Sequence, residues 1–226
     1  MQQLSLQLAP PPEPAFDNFF AASNAAALAQ LRAAAAGGER FVYVWGPRGS
    51  GKTHLLRAFV AAMPEARYAA AGEAIEAGGA ALACDDVQRL DLVGQLALFD
   101  AYNRLKTGGG SLLTAGDRPP ADLPLREDLR TRIGAGVVLH LTSLSDEEKK
   151  AALSEHARRL GLPLAPEWLD YILTRAVRDM GTQMALIDTL DRLSLERKRP
   201  VTLALVREVV QLLDGAARST NMKDLR

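Results

Sequence analysis

The sequence predicts an α/β fold: a parallel sheet sandwiched by helices, followed by a small all-helical unit. Three observations carry this. Short apolar runs alternate with helix-length segments from Phe41 to Leu141. The first run ends directly on Gly46-Pro47-Arg48-Gly49-Ser50-Gly51-Lys52-Thr53, a complete Gly-x-x-x-x-Gly-Lys-Thr loop set between a strand and a helix. After Leu141 only helical patterns remain. Strands that alternate with helices are joined by crossovers, and crossovers build parallel sheets.

The elements follow in order. Residues 1–15 form a tail, with the alternating stretch Gln3-Leu4-Ser5-Leu6-Gln7-Leu8 and then Pro10, Pro11, Pro12 and Pro14. Such a proline cluster fits neither a helix nor a central strand and reads as an extended linker. Phe16-Asp17-Asn18-Phe19-Phe20 leads into a helix near 23–36, closed by Gly37-Gly38. Phe41–Trp45 is a buried-strand run, and a helix follows the glycine loop to about Met63. A second strand is expected at Ala80–Cys84, a helix over 91–107, a strand at Ser111–Ala115, a short helix near 125–133 and a strand at Val137–Leu141. Ser145-Asp146-Glu147-Glu148 then opens a helix, with a serine cap and acids in its first turn. Helices are expected over 145–160, 166–176, 182–195 and 202–213, punctuated by Pro163, Pro166 and Pro200. The organisation is therefore a tail (1–15), an α/β base (16–142), a helical lid (143–214) and a C-terminal tail (215–226).

Bulk properties narrow the function. The 226 residues are 48% hydrophobic and 24% charged, enough for a sizeable core, and the formal net charge is zero. A protein held to DNA mainly through phosphates carries a basic excess, so strong direct DNA binding is not expected. The one cysteine, Cys84, excludes an internal disulfide and offers no metal cluster, which fits a reducing, cytoplasmic setting. No apolar run approaches the roughly 18 residues of a membrane span, and the N-terminus lacks the pattern of a signal peptide. The three histidines, His54, His140 and His156, are dispersed and read as structural, and Trp45 and Trp168 read as core residues.

The glycine loop carries the clearest chemistry. Glycines let successive backbone N–H groups turn inward onto phosphates, and the helix start adds a favourable dipole. The candidate phosphate-binding set is Pro47, Arg48, Gly49, Ser50, Gly51, Lys52, Thr53 and His54. Lys52 is expected to reach the β- and γ-phosphates and Thr53 to ligate Mg²⁺. Asp85 and Asp86 close a buried strand, at the sheet edge where ligands bind in open α/β folds. Asp85 is the second candidate Mg²⁺ ligand, partly through water, and Asp86 the group that polarises an attacking water. Asp117, just past the strand Leu112–Ala115, is either a γ-phosphate sensor or ordinary turn chemistry in Gly-Asp-Arg-Pro-Pro. Arg130 and Arg132 are by composition surface arginines, with an arginine finger as the alternative.

The order of these motifs resembles an AAA+ ATPase, and more narrowly the core of the bacterial replication initiator DnaA. Phe16-Asp17-Asn18-Phe19 is similar to that family's entry to the core, Asp85-Asp86-Val87-Gln88 to its Walker B region, and Thr114-Ala115-Gly116-Asp117-Arg118 to its sensor 1 strand. Leu129-Arg130-Thr131-Arg132-Ile133-Gly134 resembles the segment with the arginine finger, which places the finger on Arg132. DnaA continues into a DNA-binding domain after the lid, whereas about a dozen residues follow the last lid helix here. That architecture resembles the Hda family of DnaA-related regulators, as do Ser143–Lys149, Asp117–Pro120 and the N-terminal tail. The resemblance implies a five-stranded sheet, ADP or ATP with Mg²⁺ as cofactors, and DnaA and the DNA polymerase III sliding clamp (beta subunit) as partners. It implies that Gln3, Leu4, Ser5, Leu6 and Leu8 dock on the clamp; a homodimer is the form considered for self-association. DnaA-type cores place a sensor 2 arginine early in the third lid helix. An ungapped reading puts Gly181 there, with Arg178 one turn earlier, so weak intrinsic ATP hydrolysis is expected.

The function this implies is negative regulation of replication initiation, through hydrolysis of DnaA-bound ATP. The competing expectations are a DNA-dependent ATPase or loader acting by its own turnover, and a nucleotide-gated adaptor that uses the clamp for another partner.

Overall fold

The structure is a computed structural model that describes residues 13–70, 72–75, 79–175 and 180–221, with side chains described through residue 212. It divides into two compact units, one spanning Pro14–Ser143 and one that begins at Leu144.

The first unit is built on five parallel strands: β1 (Phe41–Trp45), β2 (Ala66–Ala69), β3 (Ala81–Cys84), β4 (Ser111–Gly116) and β5 (Val137–His140). Their spatial order is β2-β3-β4-β1-β5. Side chains alternate across this sheet with the period-two geometry of a strand. Val42, Val44, Ala83 and Leu113 face α1 (Ala25–Ala35) and α2 (Lys52–Ala62), which bury Leu31, Leu55 and Phe59 against them. Tyr43, Leu82, Cys84 and Leu112 face the other way, onto α3 (Leu92–Gly108) and α4 (Glu127–Gly134). Both faces are covered, which is why the strands read as continuous apolar runs.

Residue patterns alone indicate four strands; the fifth is the edge strand β2. Its sequence, Ala-Arg-Tyr-Ala, is alanine-rich and only four residues long, and it takes its conformation from pairing with β3. Local propensity is too weak to announce such a segment, and tertiary pairing decides it. Smaller departures lie at the ends. The first helix is preceded by two 3-10 turns, Phe16–Asn18 and Ala22–Asn24, and α4 starts at Glu127.

The register sets the functional edge. Trp45 pairs with Gly116 and His140, and Cys84 pairs with Thr114. The carboxyl ends of β1, β3 and β4 therefore lie side by side. The residues that leave them, Gly46, Asp85 and Asp117, emerge at one edge of the sheet, where ligands of open α/β folds bind.

The second unit consists of α5 (Asp146–Arg159), α6 (Pro166–Arg175), α7 (Met180–Arg197) and α8 (Leu203–Asn221). The expected start of α5 is a full capping box. Ser145 Oγ accepts from the Glu148 N–H at 3.1 Å, and Glu148 Oε2 accepts from the Ser145 N–H at 2.8 Å. Leu153, Ile172, Leu186, Leu190, Val206 and Val209 form its core. Among the described residues α7 is already helical at Met180, ahead of the expected start, and α8 runs past 213. No described helix is long and apolar enough to cross a membrane.

Candidate nucleotide site

The glycine loop leaves β1 and enters α2 through Gly51, whose φ of 93° lies in the left-handed region that favours glycine. A Cβ at Gly51 would sit 2.5 Å from Phe19 Cε2, so the entry segment packs directly on the loop. A Cβ at Gly46 would lie 2.2 Å from the Leu141 carbonyl oxygen, which fixes how closely the loop runs beside the chain leaving β5. Lys52 stands at the first position of α2. Its Nζ donates to the Gly46 and Pro47 carbonyls at 2.7 and 2.9 Å, so the ammonium spans the loop from within. Burial pushes this lysine below its ordinary value, against the opposing pull of Asp85, Asp86 and Asp117. Ser50 Oγ is buried and has no hydrogen-bond partner among the described residues.

Asp85 is buried at the end of β3 and is the best-connected acid of the site. Its Oδ2 accepts from Thr53 Oγ1 at 2.6 Å and from the Tyr68 hydroxyl at 3.1 Å, and its Oδ1 accepts from the Asp86 N–H at 2.9 Å. Thr53 and Asp85 thus present two hard oxygens side by side, the donor type that Mg²⁺ takes. An ammonium at the start of α2, a glycine loop whose Arg48 and Gly49 are exposed, and this oxygen pair fit a nucleotide with its metal. The aspartates also act on their neighbours: burial, then the Asp85 charge, raises the Cys84 thiol to about 12.

Asp86 adopts φ 47° and ψ 45°, a left-handed conformation that aspartate tolerates better than most residues. Gln88 Nε2 donates to its Oδ1 at 3.1 Å, and Arg89 lies 3.7 Å from its Oδ2. Asp117 is exposed and forked by its neighbour: Arg118 Nε and Nη2 reach its two oxygens at 2.7 and 2.9 Å, and that hydrogen bonding holds its carboxyl below the usual range. The Arg118 carbonyl accepts from the buried Tyr43 hydroxyl at 2.6 Å, which anchors the turn to β1.

Two candidates are placed differently. The His54 imidazole is turned to the entry segment, with Nε2 3.0 Å from the Ala15 carbonyl and its ring 5.5 Å from that of Phe19. Burial lowers its pKa, opposed by the Ala15 contact, and what His54 offers a phosphate is its backbone N–H. Arg132 lies on α4, and its contacts are with α3. Nη1 donates to Asn103 Oδ1 at 2.5 Å, and the guanidinium carbon sits 4.2 Å over the Phe99 ring and 5.2 Å over that of Tyr102. The aromatic platform and Asn103 were not legible as functional residues; their spacing of four on α3, facing α4, is the signal. Tyr68 was missed along with its strand. Gln3, Leu4, Ser5, Leu6 and Leu8 lie outside the described residues, as does Arg178, while Gly181 stands exposed in the first turn of α7.

An uncharacterized protein of Haemophilus influenzae is 32% identical over 231 residues, a match that spans 93% of this chain and 99% of that protein. The family of the Hda lid domain matches residues 146–210. That lid match makes residues 146–210 an Hda-type lid domain, consistent with an Hda-like, DnaA-related AAA+ protein. Its fold agrees with that assignment. Domain III of the replication initiation protein DnaA from Thermotoga maritima superposes with a TM-score of 0.70 at 20% identity, covering 91% of this chain and 99% of that one. AMPPCP-bound DnaA from Aquifex aeolicus gives 0.66 at 22% identity, over 83% of this chain and 70% of that one. A single-residue variant of RuvB from Thermotoga maritima gives 0.61 at 18% identity, over 88% and 72%.

Proposed function

We propose that this chain binds ADP or ATP with Mg²⁺ at Gly46–Thr53 and Asp85, and that it acts as a negative regulator of replication initiation. Bound to the DNA-loaded sliding clamp through Gln3–Leu8, it stimulates hydrolysis of ATP held by DnaA. The observation that carries this reading is Arg132: a guanidinium on a DnaA-like base, joined to an Hda-type lid, whose partners among the described residues, Asn103, Phe99 and Tyr102, lie on α3 rather than in its own phosphate loop. An arginine so placed suits a site completed by a second AAA+ protein. There water attacks the γ-phosphorus, the bond to the β–γ bridging oxygen breaks, and the guanidinium offsets the charge that develops. On this reading the chain's own nucleotide is mainly a conformational ligand, because Gly181 supplies no side chain to phosphates.

The decisive experiment measures hydrolysis of DnaA-bound ATP with this chain and DNA-loaded clamp. Arg132→Ala should lose stimulation by about 10³-fold or more, the worth of an arginine finger, while clamp binding persists. Deleting Gln3–Leu8 should abolish clamp association. Full stimulation by Arg132→Ala refutes the finger; clamp binding without the tail refutes the tail's role.

A second reading, a DNA-dependent ATPase or loader, is favoured by the completeness of the loop together with Asp85 and Asp86. Robust turnover by the isolated chain, increased by DNA, selects it. The net charge of zero weighs against it.

A further inference from the structure

The hydrogen bonds around Asp85 draw in a residue outside every motif. An ionised carboxylate offers about four lone-pair directions. Three at Asp85 are filled from three different elements: Thr53 of α2, Tyr68 of β2 and the Asp86 backbone. The Tyr68 ring is itself fixed from two sides. Its backbone pairs with Ala83 in the sheet, and the Arg57 guanidinium carbon, one helical turn after Thr53, lies 4.5 Å over the ring. The hydroxyl so held donates to Asp85 Oδ2 at 3.1 Å. The result is a closed circuit, Thr53–Asp85–Tyr68–Arg57, that returns to the helix it started from.

We propose that Tyr68 is a positioning residue for the nucleotide's Mg²⁺: its hydroxyl fixes the Asp85 carboxylate so that the one remaining acceptor direction meets the ion or a water bound to it. This rests on the reading of Thr53 and Asp85 as the metal site. Mg²⁺ demands near-ideal octahedral geometry and tolerates little ligand rotation. A carboxylate held only by Thr53 and a backbone N–H can swing about its Cβ–Cγ bond; the third donor stops it. Outer hydrogen-bond partners of metal ligands typically account for about 10- to 100-fold in metal affinity.

Tyr68→Phe is the selective probe, since it keeps the ring, the Arg57 stack and the strand and removes only the donor. Binding of the non-hydrolysable analogue AMPPCP is measured calorimetrically on the whole chain, in EDTA and across a Mg²⁺ titration. The expected result is an AMPPCP affinity in EDTA within about twofold of wild type and a Mg²⁺ midpoint raised about 10-fold or more. An unchanged or lowered midpoint overturns the proposal. So does a matching loss of metal-free AMPPCP binding, which marks Tyr68 as merely structural. If wild-type binding is not strengthened by Mg²⁺ at all, the metal-site reading falls and takes the proposal with it; a Mg²⁺-dependent wild type beside an equally Mg²⁺-dependent Tyr68→Phe sinks the proposal alone.

Discussion

The α/β base and the helical unit bury the same kinds of apolar side chain but distribute polar groups in opposite ways. In the base, Ser50, Lys52 and Asp85 are buried at one sheet edge, bonded to each other's segments or, for Ser50 Oγ, to nothing described. In the helical unit the buried polar residues described are Gln183, whose Oε1 has no hydrogen-bond partner among the described residues, and Thr189, which returns its hydrogen bond to Ala185 within the same helix. Its charges lie outside, in pairs such as Glu155 with Arg158 and Arg159, or Lys150 with Asp170. Exposed pairs of this kind add little to stability. Buried charges gathered at one sheet edge mark the place where a ligand completes the structure; a few neutral polar groups within α7 mark a unit whose work is packing and shape.

That contrast can be broken by variants that should act on one unit only. The largest effect is expected in the helical unit. Leu186 is fully buried in α7, and Leu186→Ala should cost about 2–5 kcal/mol through lost transfer energy and the cavity left behind. In a chemical denaturation followed by amide exchange, protection should fall in α5–α8 and persist in β1, β3 and β4. Uniform loss in both units would show that they do not stand as separate cores.

The base should give the reverse pattern. Lys52 keeps a buried ammonium among carbonyls, with its charged form disfavoured by burial. Lys52→Ala should therefore leave the melting temperature without nucleotide unchanged or higher. Loss of a charge-assisted contact of about 1.5–3 kcal/mol should lower nucleotide affinity roughly 10- to 100-fold. Calorimetry with ADP checks the affinity and thermal denaturation the stability. A destabilised variant that still binds ADP as wild type does would reassign Lys52 to the fold.

How much of this was legible in the sequence follows from the same contrast. The strands of the sheet centre announce themselves because both faces are covered, so Phe41–Trp45 is an apolar run and Ser111–Gly116, polar only at Ser111 and Thr114, is buried throughout. The loop is legible because glycine spacing is dictated by its own backbone. Asp85 and Asp86 are legible from their position after a strand, but their inequality is not. Asp85 is buried under three donors and Asp86 is half-buried and tied to Gln88, and only the parallel register of β3 beside β4 and the arrival of β2 create that difference. β2 and Tyr68 were illegible because a four-residue edge strand, Ala-Arg-Tyr-Ala, has no pattern of its own. Arg132 was legible by resemblance, yet its seat on Phe99 and Asn103 depends on how α3 and α4 pack, which no local signal encodes.

The smallest expected effect lies where the entry segment meets the base, at a polar side chain beside the loop that is turned away from the phosphates. His54 has its pKa lowered, chiefly by burial, so the folded base holds it neutral more firmly than the unfolded chain does. With an unfolded value near 6.5, the unfolded chain binds the proton first as pH falls. The stability linked to His54 is therefore fully present above about pH 6.5 and is lost as pH drops from there through the lowered folded value. One proton is involved, so the slope cannot exceed about 1.4 kcal/mol per pH unit. His54→Gln keeps a donor for the Ala15 carbonyl and does not titrate. Urea denaturation of the two chains at a series of pH values should give stability curves that run parallel above pH 7 and converge or cross below 6.5, the wild type falling faster. Curves that stay parallel to pH 5 would mean that the imidazole is protonated in the folded base without penalty, and that the contact with Ala15 is made by the charged ring.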